Sequence, residues 1–217
     1  DTKDANDDTV YGLRQWTETE FRPRKTDTFT ERLYCIKYSR PDGTWYHTAP
    51  SAFDIENEKK VDQIVESNFS AWQSAGYLPT MQIETGYNTE QLIREKGWHF
   101  WHQLFTPRQL LVTALFIKKS KESSQTQEQI ATCLLGVNRM VNWNSKLSRW
   151  SSASAHECGL DTFYNQALNT FFNYSTRAQN ALKATWFFSI NKYPIRSKNE
   201  VTICDARECS SFCNVWI

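Results

Sequence analysis

Glycine and proline are scarce in this 217-residue chain, seven and six respectively, which excludes a collagen-like or low-complexity polymer. Long hydrophobic runs are missing as well. The stretch 110–117 is apolar, but Lys118, Lys119 and Lys121 close it far short of the ~18 residues a membrane span needs. Excess charge of either sign is absent. Lys and Arg total 25 against 24 Asp and Glu, a net of +1, so a nucleic-acid-binding surface has to be a local patch. The six cysteines, at 35, 133, 158, 204, 209 and 213, contain no Cys-x-x-Cys pair. Cys209 and Cys213 are four apart and share a helix face, and with Cys204 and a distant His156 or Cys158 they make the one conceivable zinc set. Metal-ligand spacing is lacking, so no metal is expected. The even count permits a disulfide framework, but a chain of this size with no visible secretion signal reads as a cytoplasmic protein with reduced, buried thiols. His156-Glu157-Cys158 is weak as a nucleophile arrangement, because no base-orienting partner can be named.

What the chain does have is aromatic mass: 14% Phe, Trp and Tyr, nine of them Trp, within 40% hydrophobic residues overall. A packed core is therefore within reach. Four of the first eight residues are Asp. Residues 1–28 read as a disordered acidic lead and an irregular arm, and the start at Asp1 suggests an internal piece of a longer polypeptide. Alternation over 30–38 predicts a strand, Pro41-Asp42-Gly43 a turn, and 44–48 a returning strand, together a β-hairpin. Ser51 with Asp54 three residues on predicts a capped helix, carried by Ile55, Val61, Ile64, Val65, Phe69 and Trp72 and stopped at Gly76. Residues 77–89 read as irregular. Thr106 followed by Pro107 predicts a second helix with Leu110, Leu111, Ala114 and Leu115 inward. After a polar loop, a third helix runs from Thr126 or Gln127 to Asn142 on Ile130, Cys133, Leu134, Val137 and Met140. A fourth is expected over 162–176, its extension or a short fifth over 180–190, a strand over 201–204 and a last helix over 208–217. No internal repeat is present.

The run Gly97-Trp98-His99-Phe100-Trp101-His102-Gln103-Leu104-Phe105-Thr106-Pro107-Arg108-Gln109-Leu110-Leu111 concentrates rings beside Arg and His. That is the chemistry that stacks on bases and holds phosphates. It is equally the composition of a buried aromatic staple leading into a helix. Arg94, Lys96, Arg108, Arg139, Lys146 and Arg149 are candidates for phosphate contact or simply solvated charges. Asn142, Asn144 and Trp150 are candidates to line a base pocket or to cap the third helix. His99 and His102 are three apart and can share a face, yet no third ligand stands at a fitting spacing.

The wording of these segments resembles the middle region of the large bacterial and archaeal adenine-specific DNA methylases that carry a DUF1156 domain. Their "W-x-x-L-F-x-P-R-Q-L-L" segment is matched by Trp101 to Leu111. Tyr11-Gly12-Leu13-Arg14-Gln15-Trp16 and Phe21-Arg22-Pro23 are similar to the family's approach segment, and Phe29-Thr30-Glu31-Arg32-Leu33-Tyr34-Cys35-Ile36 to its "F-x-E-R-L-Y-C" strand. Tyr46-His47-Thr48-Ala49-Pro50 precedes a charged helix, as it does there. Residues 79–84 and 90–98 resemble "I-P-x-x-x-I-E … E-x-I-R-x-x-G-W". Asn142-Trp143-Asn144-Ser145 with Arg149-Trp150 resembles "D-Y-N-S-x-L-C-R-W", and 162–168 resembles "T-F-x-x-Q-A-L". The order is kept from about Tyr11 to Ile217.

The resemblance implies an α-rich α/β chain: a helical region with a β-hairpin, attached to part of a Rossmann-like methyltransferase sheet. It divides the chain into 1–28 (lead and arm), 29–200 (hairpin plus helical, DNA-recognition region) and 201–217 (strand–helix remnant of the methyltransferase core). Its implied partners are DNA and the rest of the methyltransferase chain or other subunits of a modification or phage-defence system, in the cytoplasm and without a membrane. Such enzymes need a glycine-rich loop where S-adenosylmethionine lies against the backbone, and an Asp-Pro-Pro-Tyr turn that accepts hydrogen bonds from the flipped adenine's amine and stacks on its ring. Neither occurs here. Glu208-Cys209-Ser210-Ser211-Phe212-Cys213-Asn214-Val215-Trp216 resembles the helix after that turn, and Val201-Thr202-Ile203-Cys204 the strand before it. Only Asp205-Ala206-Arg207 stands between. Asp205 occupies either the family's acidic position or that of a later loop Asp; the short link is a deletion, the mark of a degenerate relative, or a longer loop missing between its flanks. The resemblance thus implies S-adenosylmethionine for the parent protein but none for this chain alone, and leaves open whether the chain is an enzyme. Other readings are a non-catalytic DNA-binding or scaffold subunit, and a helical module that holds partner proteins.

Overall fold

The computed structural model describes residues 2–3, 10–11, 14–27, 30–87, 89–151 and 158–162. Within the acidic lead, β1 (Thr2–Lys3) pairs antiparallel with β2 (Val10–Tyr11). The expected hairpin follows as β3 (Ile36–Ser39) and β4 (Trp45–Thr48), in the register Ile36↔Thr48 to Ser39↔Trp45. The first strand is shorter than the alternation over 30–38 predicts. Gly43, at φ 84, relaxes the turn, and Asp42 closes it by accepting from the Thr44 amide at 2.9 Å.

Helix α1 (Ala52–Ser74) begins at the predicted box: Ser51 accepts from the Asp54 amide while Asp54 accepts from the Ser51 amide. Val61, Val65, Phe69 and Trp72 form its buried stripe. Ile55 and Ile64 were expected in that stripe but are exposed. At 3.6 residues per turn Ile64 lies about 60° to one side of Val61, and Ile55 precedes the first buried turn. Gly76, at φ 67, ends the run.

A short helix, α2 (Glu90–Lys96), and a 3₁₀ turn (Trp101–Leu104) lead into α3 (Pro107–Ser123) and α4 (Gln127–Asn142). Capping boxes Thr106/Gln109 and Thr126/Gln129 start the last two. Of the inward set predicted for α3, Leu110 and Ala114 are buried and Leu111 is half-buried. Leu115 is exposed, because one step past Ala114 rotates the side chain about 100° away. α3 is the middle layer, packed on α1 to one side and α4 to the other. Phe21 from the arm joins Val61, Val65, Phe69, Trp72, Leu78, Leu110 and Ala114 in the first core. A second core gathers Ile83, Leu92, Trp98, Leu104 and Leu147, and a third lies around Val137 and Met140 between α3 and α4.

The turn after α4 is buried from Asn144 through Ser148, and the strands β5 (Arg149–Ser151) and β6 (Cys158–Leu160) pair behind it. Among the described residues the fold is α-rich with three two-stranded antiparallel pairs. The remaining expected elements, namely the helices over 162–176 and 180–190, the strand over 201–204, the helix over 208–217 and with them the Rossmann-like sheet, lie outside the described residues. So do Asp205, the Cys204, Cys209 and Cys213 set, and His156. Cys35 and Cys133 are free, half-buried thiols. Among the described residues no helix is long and apolar enough to cross a membrane.

Candidate nucleic-acid interface

Gly97 caps α2 in the left-handed conformation, with φ 68. Its carbonyl accepts from the Trp16 amide at 2.8 Å, and a Cβ built on it would sit 2.2 Å from the Arg14 carbonyl oxygen. The arm therefore lies directly on the end of α2. This contact sets Trp16 edge-on to Trp98, with ring centres 6.2 Å apart and planes at 73°. Lys146 enters between them from the turn after α4, its own amide donating to the Leu104 carbonyl at 2.7 Å. Its Nζ stands 4.7 Å from the centre of the Trp16 ring, 5.3 Å from that of Trp98 and 2.8 Å from Glu31 Oε1. The lysine side chain is fully buried. A buried ammonium needs a paired anion, and the two indole faces add to it.

Gln103 ties the same region together. Its Oε1 accepts from the amides of His99 at 2.7 Å and Phe100 at 3.1 Å, and its Nε2 donates to the Thr17 carbonyl at 2.7 Å and the Glu20 carbonyl at 3.3 Å. One amide side chain thus binds the 97–111 run to the arm. His99 Nε2 lies 2.6 Å from Gln15 Oε1. His102 is fully buried between the rings of Phe69 and Phe100 and donates from Nε2 to the Glu20 carbonyl at 3.1 Å. Burial, and more weakly the Lys146 ammonium, push its pKa down to about 4, against the Glu20 and Pro79 backbones that favour the cation. The arm is braced in turn by Arg14, which donates to Asp27 at 2.8 and 2.9 Å and to Glu20 at 2.8 Å. Burial raises the Glu20 carboxyl, but hydrogen bonds from Thr17, Arg14 and Arg24 outweigh it and hold the group at about 2.

A pH dependence follows. His102 titrates near 6.5 when unfolded and near 4 when folded, so between those values the unfolded chain binds more protons. Stability is complete above pH 6.5 and falls as pH drops toward 4, by about 3 kcal/mol at most. Glu20 adds its own loss only below pH 4.5. Urea midpoints measured from pH 7.5 to 4.5 should show the fall, and His102→Gln should flatten it. An equally steep fall in that variant would show that His102 is not its cause.

The twelve residues predicted to meet nucleic acid divide sharply. Trp98, His102, Asn144 and Lys146 are enclosed and hold the fold together. Asn144 donates from Nδ2 to the Met140 carbonyl at 3.0 Å. Asn142 accepts from the Thr162 amide through both its carbonyl, at 2.7 Å, and its Oδ1, at 3.3 Å, which pins the segment just past β6 to the end of α4. Arg108 is half-buried and ion-paired with Glu58 of α1, Nε to Oε1 at 2.7 Å. Arg94 and Arg139 are exposed, the first 3.4 Å from Glu95 Oε1 and the second 4.5 Å above the Trp143 ring. Lys96 is half-buried, and desolvation lowers its pKa. His99 is half-buried. Arg149 and Trp150 have a described backbone, in β5, but their side chains lie outside the described set.

Sequence reasoning did not single out Trp16, Glu31 or Gln103. Nothing local marks Glu31, whose partner stands 115 positions away; Gly97 after Lys96 was a readable helix stop. Among the described residues no group of His, Cys, Asp and Glu gathers as for a metal. The described glycines stand singly, and Gly43, Gly76 and Gly97 serve turns and helix ends. No family model matches this chain, and no curated protein or solved structure does.

Proposed function

We propose that this chain is the DNA-holding and base-pocket part of an S-adenosylmethionine-dependent, adenine-specific DNA methyltransferase, a cytoplasmic protein of a modification or phage-defence system, and that alone it does not transfer a methyl group. The observation supporting the reading is convergence. The segments that resemble the methylases are far apart in sequence, yet Trp16, Glu31 and Trp98 close around the Lys146 ammonium, with Leu104 hydrogen-bonded to the same turn. On this reading the 201–204 strand joins a Rossmann-like sheet, and Asp205 stands near the target amine. DNA is met by the solvent-facing members of the set, Arg94 and Arg139, and by the half-buried Lys96 and His99.

Anisotropy titrations with labelled duplex DNA at increasing salt test it. Affinity should fall with log salt by about 0.9 per phosphate neutralised, and Arg94→Gln with Arg139→Gln should reduce that slope by up to about 2. Calorimetry with S-adenosylmethionine should show no heat for these 217 residues. Failure to bind duplex at low salt defeats the DNA part of the reading, and methyl transfer from a tritiated donor defeats the inactivity part. The missing Pro-Pro-Tyr after Asp205 favours a second reading, a non-catalytic DNA-binding or scaffold subunit. The parent polypeptide separates the two, because an intact methylase binds the cofactor and a subunit that has lost the turn need not.

A further inference from the structure

We propose that the cavity between α3 and α4 binds a small neutral molecule, a single ring carrying one hydroxyl. The cavity holds about 170 Å³ and is partly open to solvent. Packed interiors seldom leave a void larger than a water, and an apolar space of about 150 Å³ is enough for benzene. The walls follow from the helices. Leu110 and Ile117 stand two turns apart on α3, and Val137 and Val141 one turn apart on α4, so each pair lies on one helix face. Phe105, just before α3, and Pro79, in the segment after α1, add a ring each to the lining. Pro79 is held in place there, its carbonyl accepting from Gln73 Nε2 at 3.3 Å.

The lining sets the chemistry of the ligand. Among the described residues no charged side chain borders the cavity. An ion entering it would lose its water and gain no partner. Two polar side chains border it, Thr113 and Asn138. Asn138 is exposed, which puts it at the opening, where its amide stays hydrated. Thr113 is half-buried, and among the described residues nothing hydrogen-bonds its hydroxyl. One hydroxyl that both donates and accepts suits one polar substituent on the ligand. A nucleobase carries several donors and acceptors, most of which these walls would strand. The cavity is therefore no base pocket, and its ligand is independent of whether the chain binds DNA.

The test is fluorine NMR on the whole chain with 4-fluorophenol, fluorobenzene and 4-fluorobenzoate as probes. The two neutral probes should bind saturably and the benzoate should not. Val141→Phe places a ring in the cavity and should weaken both neutral probes about tenfold or more. Thr113→Val keeps the outline of the side chain and removes the hydroxyl. It should weaken 4-fluorophenol about three- to tenfold and leave fluorobenzene within about twofold. No saturable binding of either neutral probe overturns the proposal, as does binding that Val141→Phe leaves unchanged. Benzoate bound as tightly as the phenol, or equal effects of Thr113→Val on the phenol and fluorobenzene, overturns the ligand class. Should Val141→Phe fail to fold by circular dichroism, nuclear Overhauser contacts from fluorobenzene to the methyl groups of Ile117, Val137 and Val141 decide. Their presence supports the site and their absence overturns it.

Discussion

Gly97→Ala is expected to cost about 3–5 kcal/mol, a large share of the stability of an ordinary domain. Two effects add. A left-handed residue with a side chain is strained by about 1 kcal/mol even in open space. Here the new Cβ also meets the Arg14 carbonyl oxygen at 2.2 Å, and backbone cannot swing aside as a side-chain end can. Relief means lifting the arm off α2, which breaks the Trp16–Gly97 hydrogen bond and withdraws one indole from Lys146. Gly43→Ala is the control: its φ is 84, but nothing lies within 4 Å of a Cβ there, so only the conformational part applies. Urea unfolding of the two variants reads the difference. Equal losses would mean that the arm does not dock on α2.

Glu31→Gln is expected to cost about 3 kcal/mol, while Lys146→Met should be nearly neutral. The asymmetry comes from burial. Removing the carboxylate leaves an ammonium that is wholly enclosed, whereas removing the ammonium leaves a carboxylate whose side chain is 20% exposed and can take up water. Methionine also matches the lysine stem in volume and keeps a soft contact with both indoles. Combined with Glu31→Gln, Lys146→Met should recover most of the loss, since no buried charge remains. Denaturant midpoints for the four chains give the coupling directly. The same variants separate two roles for Lys146. If the lysine serves the fold, Lys146→Met leaves duplex affinity and its salt slope unchanged. A slope lower by about 0.9 with unaltered stability would place this side chain on a phosphate instead.

The local grammar of the chain is legible in the order of its residues. Ser51 with Asp54 and Thr106 with Pro107 each start a helix where they stand, and the third helix begins at Gln127, within the expected Thr126–Gln127 start. Pro41-Asp42-Gly43 turns the hairpin, and Gly76 stops α1. Each device acts within three or four residues, so the sequence neighbourhood contains all of its physics. The candidate interface was less legible. Lys146 and Arg94 are both basic residues outside any obvious core pattern, yet one is fully buried and the other exposed. Periodicity also overreached for Ile55, Ile64 and Leu115, which lie near an apolar stripe but off the line where another element packs.

By itself the amino-acid order determined where α1, α3 and α4 begin, where the hairpin turns and where α1 stops, because caps and turns are short-range. Tertiary structure alone decided which rings and cations meet solvent. That choice depends on partners brought from far away, such as Glu31 to Lys146, Gln15 to His99 and Glu58 to Arg108. A charged side chain is stable inside only where the fold supplies its opposite, and the chain must close on itself before that opposite arrives.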